Sequence, residues 1–219
     1  MAKTDSRRGK FITFEGPEGG GKTTQAKRLI QRLETAGHEV IYTREPGGTP
    51  TGEAIRNILQ HDTTGEEISS AAEVLLFAAS RAQLVAHVIL PALDRGAWVV
   101  CDRFADSTTA YQGYGRGFDP EQMLAINGFA IDGATPDLTF LLDLDLDEGF
   151  RRLAIRHQEK ASPLDRIEQE ARSFHERVRQ GYLDLARRYS DRFRVIDSMR
   201  EEDTVHQDIW ECVTRECGL

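Results

Sequence analysis

The stretch Phe11–Thr24 reads FITFEGPEGGGKTT. Phe11, Ile12, Thr13 and Phe14 suit a strand, a glycine-rich turn follows, and Ala26, Leu29, Ile30 and Leu33 fall on one face of a helix beyond it. Gly16, Pro17, Glu18, Gly19, Gly20, Gly21, Lys22 and Thr23, with Thr24 next, fit the Walker A pattern G-x-x-x-x-G-K-[ST]. Glycines let the backbone close around an anion, so that N–H groups and the helix N-terminus point at phosphate oxygens. In that pattern Lys22 reaches the β- and γ-phosphates and the Thr23 hydroxyl ligates Mg²⁺. The pattern predicts a nucleoside triphosphate site. A flexible glycine turn with no ligand is the other reading, and the flanking strand and helix argue against it.

The rest of the chain repeats the strand–helix alternation. Residues 39–43 and the apolar run AWVVCD (97–102) read as strands, as do LTFLLDL (138–144) and RFRVID (192–197). Helices are expected over about 51–60, 69–93, 104–112, from Asp119 and Pro120 onward, 148–156, 164–189, and through Val205, Ile209, Trp210 and Val213. The 69–93 helix is apolar nearly all round and predicts burial; YGRG (114–117) predicts a flexible segment, and HQEKASP (157–163) a charged break. Alternation of this kind implies one three-layer α/β domain with a mainly parallel sheet, spanning residues 11–219 behind a mobile leader at 1–10.

With 219 residues, 39% hydrophobic and 29% charged, the chain has the composition of a soluble globular domain. A formal charge of −8 argues against a nucleic-acid surface, and the basic N-terminus lacks the apolar core of a signal peptide or membrane span. Cys101, Cys212 and Cys217 form no metal spacing and fit a reducing, cytoplasmic setting. Asp143, Asp145 and Asp147 open like an EF-hand loop, but Glu148 and Ala154 stand where glycine and glutamate are required. No asparagine is followed by lysine, so the NKxD motif of a regulatory GTPase is missing.

Asp102 and Arg103 sit where a strand opens onto the ligand edge of an α/β sheet; an aspartate there can order a Mg²⁺ shell and an arginine can bridge two phosphates. A strand-end salt bridge uses the same residues. Phe77 and Arg81, four apart on one helix, can form a nucleobase pocket of stacking ring and hydrogen-bonding guanidinium, or a core phenylalanine beside a surface arginine.

The segments TFEGPEGGGKTTQ, TREPGGTPTGEAIR, LLFAASRAQLV, CDRFADSTTAYQGYGRG and LDRIEQE, in this order, resemble the bacterial thymidylate kinases. The resemblance runs from Phe11 to about Asp197. It implies a phosphate-loop α/β fold with a five-stranded parallel sheet, usually a homodimer, that uses ATP and Mg²⁺ to phosphorylate dTMP. It further implies that Glu18 contacts the sugar 3′-hydroxyl, Phe77 stacks on thymine, Arg81 bonds its O4, and Thr108 and Gln112 line the base edge. By the same resemblance Arg56 and Arg103 hold the acceptor phosphate, Tyr111 presses on the deoxyribose, Glu45 lies near metal and phosphates, and Thr23 and Asp102 serve the metal. Some members carry a catalytic arginine in the phosphate loop; this chain has Pro17, Glu18, Gly19 and Gly20 there. Segment 151–166 resembles an arginine-bearing lid instead, with Arg156 the first choice for closing on ATP and Arg152 or Arg166 the alternatives. Another nucleoside monophosphate kinase or a deoxynucleoside kinase would share the fold and differ in the acceptor phosphorylated, and a non-catalytic nucleotide-binding regulator would bind ATP with no transfer to any acceptor.

Overall fold

Five short strands, β1 (Phe11–Glu15), β2 (Val40–Arg44), β3 (Trp98–Asp102), β4 (Leu138–Asp143) and β5 (Phe193–Asp197), pair in parallel in the order β2-β3-β1-β4-β5. They come from a computed structural model that describes residues 8–61, 65–160 and 163–219. The expected leader lies mostly outside the described residues, as do parts of the 61–67 loop and of the lid. The helices are α1 (Lys22–Thr35), α2 (Pro50–Gln60), α3 (Ser70–Leu84), α4 (Leu90–Asp94), α5 (Ala105–Thr108), α6 (Pro120–Ile131), α7 (Leu146–Lys160), α8 (Arg172–Arg188) and α9 (Glu202–Cys217).

A strand covered on both faces reads as an uninterrupted apolar run, and β1 shows why. Ile12 and Phe14 point into a core shared with Leu29 and Leu33 of α1 and Ile209 and Val213 of α9. Phe11 points the other way, into a core with Leu84, Ile89 and Leu93. Burying such side chains contributes about 1.5–3 kcal/mol each. This clamps β1 between β3 and β4, and the glycine-rich turn leaves its carboxyl end between them.

Several local expectations give way to tertiary packing. The helix over 70–94 is continuous but widens into a π-helical turn at Val85–Ile89, where the Leu90 N–H reaches back to the Val85 carbonyl. Pro91 follows at once; it has no N–H to donate, and its ring would crowd the carbonyl four residues earlier in a regular helix. Nor is this helix buried all round. It is apolar enough by length and composition to cross a bilayer, yet its inner face carries Glu73 and Arg81, and Leu75 stands 61% exposed on the outer one.

The YGRG segment is ordered. A π-helical turn at Thr109–Gly115 continues α5, and a Cβ on Gly115 would lie 2.6 Å from the Phe174 ring, so this glycine marks close packing. Arg116 pairs with Glu73 and Glu170. The charged break also moves: α7 runs on through 157–160, whereas the helix expected from 164 starts only at Arg172. Asp165 and Glu168 cap each other, the Asp165 carboxylate accepting from the Ile167 and Glu168 backbone and the Glu168 carboxylate from the Asp165 N–H, but the turn they open ends before Arg172.

Candidate active site

Gly16 carries a φ of 134°, and a Cβ there would lie 2.4 Å from the Leu142 carbonyl, so the loop lies flush on β4 only because the residue is glycine. Gly21 caps α1 in the left-handed region with no side-chain cap, and the first turn has no acidic residue. The helix N-terminus is therefore left for an external anion. Lys22, buried, donates to the carbonyls of Gly16 (3.0 Å) and Pro17 (2.7 Å). Burial and the nearby Arg103 charge pull its pKa down to about 8.

β3 ends beside β1, with Asp102 opposite Phe14. This places the Thr23 hydroxyl as donor to Asp102 Oδ2. Arg103 comes next, with a φ of 68°, a left-handed conformation costly for a side chain with a Cβ. The neighbouring bonds hold it: Arg103 N–H donates to the Phe14 carbonyl (2.9 Å), and Phe104 N–H donates to Glu15 Oε1 (2.8 Å). The guanidinium donates to the Gly16 carbonyl and the Tyr182 hydroxyl (3.0 Å each), to the Tyr111 hydroxyl (3.0 Å) and to Glu18 Oε1 (2.5 Å). Burial raises the Glu18 pKa, but Arg103 and Lys22 outweigh it and bring it down to about 2.

One cavity of about 810 Å³ gathers most of the predicted residues: Glu18 to Thr24, Glu45, Arg56, Phe77, Arg81, Asp102, Arg103, Thr108, Tyr111, Gln112, Arg152 and Arg156 all line it. Gly16 and Pro17 are not among the residues that line it. Arg81 is 1% exposed and deeply anchored, with Nε and Nη2 donating to Glu45 Oε2 (2.9 and 2.6 Å), Nη1 to Asn127 Oδ1 (2.7 Å) and Nη2 to Thr108 Oγ1 (2.9 Å). The Glu45 carboxylate thus meets Arg81, while its backbone N–H donates to the Asp102 carbonyl (3.1 Å). Burial lifts the Glu45 carboxyl to about 7, with Arg81 opposing. Arg56 donates to the Pro46 carbonyl at 3.0 Å.

The lid candidates separate. Arg156 lies on the cavity wall and donates to Glu168 (2.5 Å). Arg152 reaches the Gly19 carbonyl (3.4 Å) and the Ser198 carbonyl (3.0 Å). Arg166 is turned away, onto Glu73 and the Leu59 carbonyl. A second cavity of about 410 Å³ opens on the far side of Gly19–Gly21, walled by Arg152 and residues 198–202.

The sequence reading missed Glu15, Ser107 and Tyr182. Glu15 is fully buried and accepts from Ser107 Oγ (2.6 Å) and Tyr182 Oη (3.1 Å) as well as from Phe104. An acid closing an apolar strand just before the glycine turn was the available signal. Burial and the Asp106 charge push its pKa up to about 7. A folded value above the unfolded one contributes stability that is complete below about 4.5 and lost as pH rises through 7. Glu15→Gln should remove that loss, so urea titrations of wild type and variant should diverge between pH 5 and pH 8, with wild type falling by about 1–3 kcal/mol relative to the variant. Parallel curves would mean that Glu15 is ionised throughout.

A family model described as thymidylate kinase matches residues 14–209. The chain belongs to the thymidylate kinase family. It is 53% identical over 202 residues to the thymidylate kinase of Pelotomaculum thermopropionicum, covering 92% of this chain and 91% of that one. It is 51% identical over 206 residues to that of Deinococcus radiodurans, covering 94% and 97%. The crystal structure of thymidylate kinase from Ehrlichia chaffeensis superposes with a TM-score of 0.75 at 34% identity, over 94% of this chain and 99% of that one. The family makes the chain a phosphotransferase of the nucleoside monophosphate kinase class.

Proposed function

We propose that the chain transfers the γ-phosphoryl group of ATP to dTMP, giving dTDP and ADP. The observation that carries this reading is the single cavity in which the phosphate loop, Arg103 and the Phe77–Arg81–Gln112 group meet. Phe77 stacks on thymine, Arg81 presents its guanidinium to O4, and Thr108 and Gln112 meet the base edge. Tyr111 and Glu18 receive the deoxyribose, with Arg56 and Arg103 on the acceptor phosphate. Glu45 serves by holding Arg81. The adenosine of ATP extends past Gly19–Gly21 into the second cavity, which brings the γ-phosphate to the shared wall.

Thr23 and Asp102 supply two hard oxygen ligands side by side, a set that suits Mg²⁺, which takes its remaining ligands from phosphates and water. Among the described residues no cluster of three or more His, Cys, Asp or Glu could cage a metal alone, consistent with an ion shared with the nucleotide. When bound, Mg²⁺ neutralises phosphate charge. The phosphate monoester of dTMP has a second pKa of about 6, so it arrives largely dianionic and needs no general base. The protein's task is to align two mutually repelling anions and offset the charge on the transferred group, which Lys22, Arg103 and a lid arginine do. Arg156 fills the lid role best, since it lines this cavity alone, whereas Arg152 on the same helix is held by the Gly19 and Ser198 carbonyls between the two cavities.

Leu75 on α3 and Phe129 on α6, 61% and 89% exposed on two helices that pack together, support a homodimer through that face. The three unpaired cysteines favour a cytoplasmic setting, and the −8 charge speaks against nucleic acid as a partner.

A coupled ADP-release assay with ATP and Mg²⁺ over dTMP, dUMP, dCMP, UMP, AMP, GMP and thymidine should show dTMP strongly preferred. Preference for another acceptor would overturn the base pocket, and no turnover with any would restore the regulator. In the same protein Phe77→Ala should weaken dTMP binding in calorimetry by about tenfold or more. Unchanged affinity would remove Phe77 from the pocket.

A further inference from the structure

We propose that Glu73, which touches no reacting group, sets acceptor-base specificity by locking the Gln112 side-chain amide with its carbonyl toward the cavity. The inference deepens the thymidylate reading and rests on it. Glu73 sits in the first turn of α3 and is 1% exposed. Its Oε1 accepts from Gln112 Nε2 at 2.8 Å and from Arg116 Nε at 3.2 Å. Its Oε2 accepts from Arg116 Nη2 at 3.3 Å and from Arg166. Burial raises its pKa, but the hydrogen bonds from Arg116, Gln112 and Arg166 outweigh it and keep the carboxyl below the ordinary carboxylate range.

An ionised carboxylate can only accept. The amide nitrogen of Gln112 must therefore face Glu73, and the amide oxygen must face the other way. Gln112 is itself 1% exposed and lines the cavity beside Thr108 and Arg81, and its Oε1 receives no hydrogen bond from any described residue. That oxygen is a fixed acceptor at the base edge. Thymine and uracil offer it a ring N3–H. Cytosine offers a bare N3, and two acceptors face to face leave both unsatisfied in a buried site.

Rotation of the amide by half a turn would present N–H to cytosine and abolish the distinction. The Glu73 carboxylate, pinned by two arginines, prevents that rotation. Glu73 is thus a positioning residue acting through Gln112.

The test is internal competition: dTMP and dCMP together with limiting ATP and Mg²⁺, reading the ratio of the two diphosphates. Because both products come from one tube, the ratio does not depend on how much of a variant is folded. Glu73→Gln should lower the preference for dTMP by about 10- to 100-fold, Arg81 retaining the remainder. In the Gln112→Ala background, adding Glu73→Gln should leave the ratio unchanged, which a merely structural role would not produce. Should Glu73→Gln fail to fold, Gln112→Asn draws the amide back from an intact Glu73 and should relax the preference similarly.

Retention of the wild-type preference in the Glu73 or Gln112→Asn variant, or an equal further fall in the Gln112→Ala background, overturns the role of Glu73 alone. A wild type that leaves dTMP unphosphorylated overturns the thymidylate reading and this inference with it.

Discussion

Arg103→Ala should lower kcat for dTMP phosphorylation by about a thousandfold or more while leaving the protein folded. The backbone gives a clean comparison, since arginine and alanine both carry a Cβ into the left-handed conformation at φ 68° and the strain is common to both. What is lost is a guanidinium held by Gly16, Tyr182, Tyr111 and Glu18 at the point where the phosphate loop meets the acceptor side of the cavity. A second readout separates charge from packing. Glu18, brought down to about 2 chiefly by Arg103 and Lys22 acting against burial, contributes stability present above about 4.5 and lost as pH falls through 2. Without Arg103 that acid-side loss should flatten in denaturation curves. Arg103→Lys, which keeps a charge but not the fork, should recover the acid-side slope better than the rate. If Arg103→Ala retained a tenth of wild-type kcat, Arg103 would not be acting on the transferred phosphoryl group.

What could be read from the sequence was local or lay at the end of a strand. The strand, loop and helix of residues 11–35 are contiguous, so each piece predicted its neighbour, and Asp102 was legible because an acid ending an apolar run marks the ligand edge of a parallel sheet. The helical spacing of Phe77 and Arg81 put them on one face but left a core phenylalanine beside a surface arginine open, and the resemblance alone pointed to a base pocket. The supports behind them were not legible. Glu15 meets Tyr182 across 167 residues, Arg81 meets Asn127 across 46, and Gln112 meets Glu73 across 39, and no periodicity encodes such meetings. Glycine misled once: in YGRG it marks contact with the Phe174 ring and not looseness. The break before α8 was not legible, because Asp165 and Glu168 form the reciprocal cap that ordinarily opens a helix and here open only a turn.

The same distinction gives Arg81 a double effect. Its guanidinium is 1% exposed, shares Glu45 Oε2 through two donors, satisfies Asn127 and Thr108, and lies 5.5 Å from the centre of the Phe104 ring. Arg81→Ala should therefore cost about 3–5 kcal/mol of stability, because it leaves a buried carboxylate and two polar side chains without their partner. For a chain of this size that lowers Tm by roughly 10 °C. It should also lower the discrimination between dTMP and acceptors lacking a 4-oxo group, leaving only the share held by Gln112. Adding Glu45→Gln should return part of the stability, since a neutral amide no longer demands a cation, but none of the selectivity, which needs the guanidinium itself. Urea titration of the two single variants and the double, beside dTMP calorimetry on each, separates these outcomes. A cost below about 1 kcal/mol for Arg81→Ala would mean that the pair is far better solvated than its burial implies. Recovery of dTMP affinity in the double variant would mean that Arg81 acts on the acceptor only through the fold.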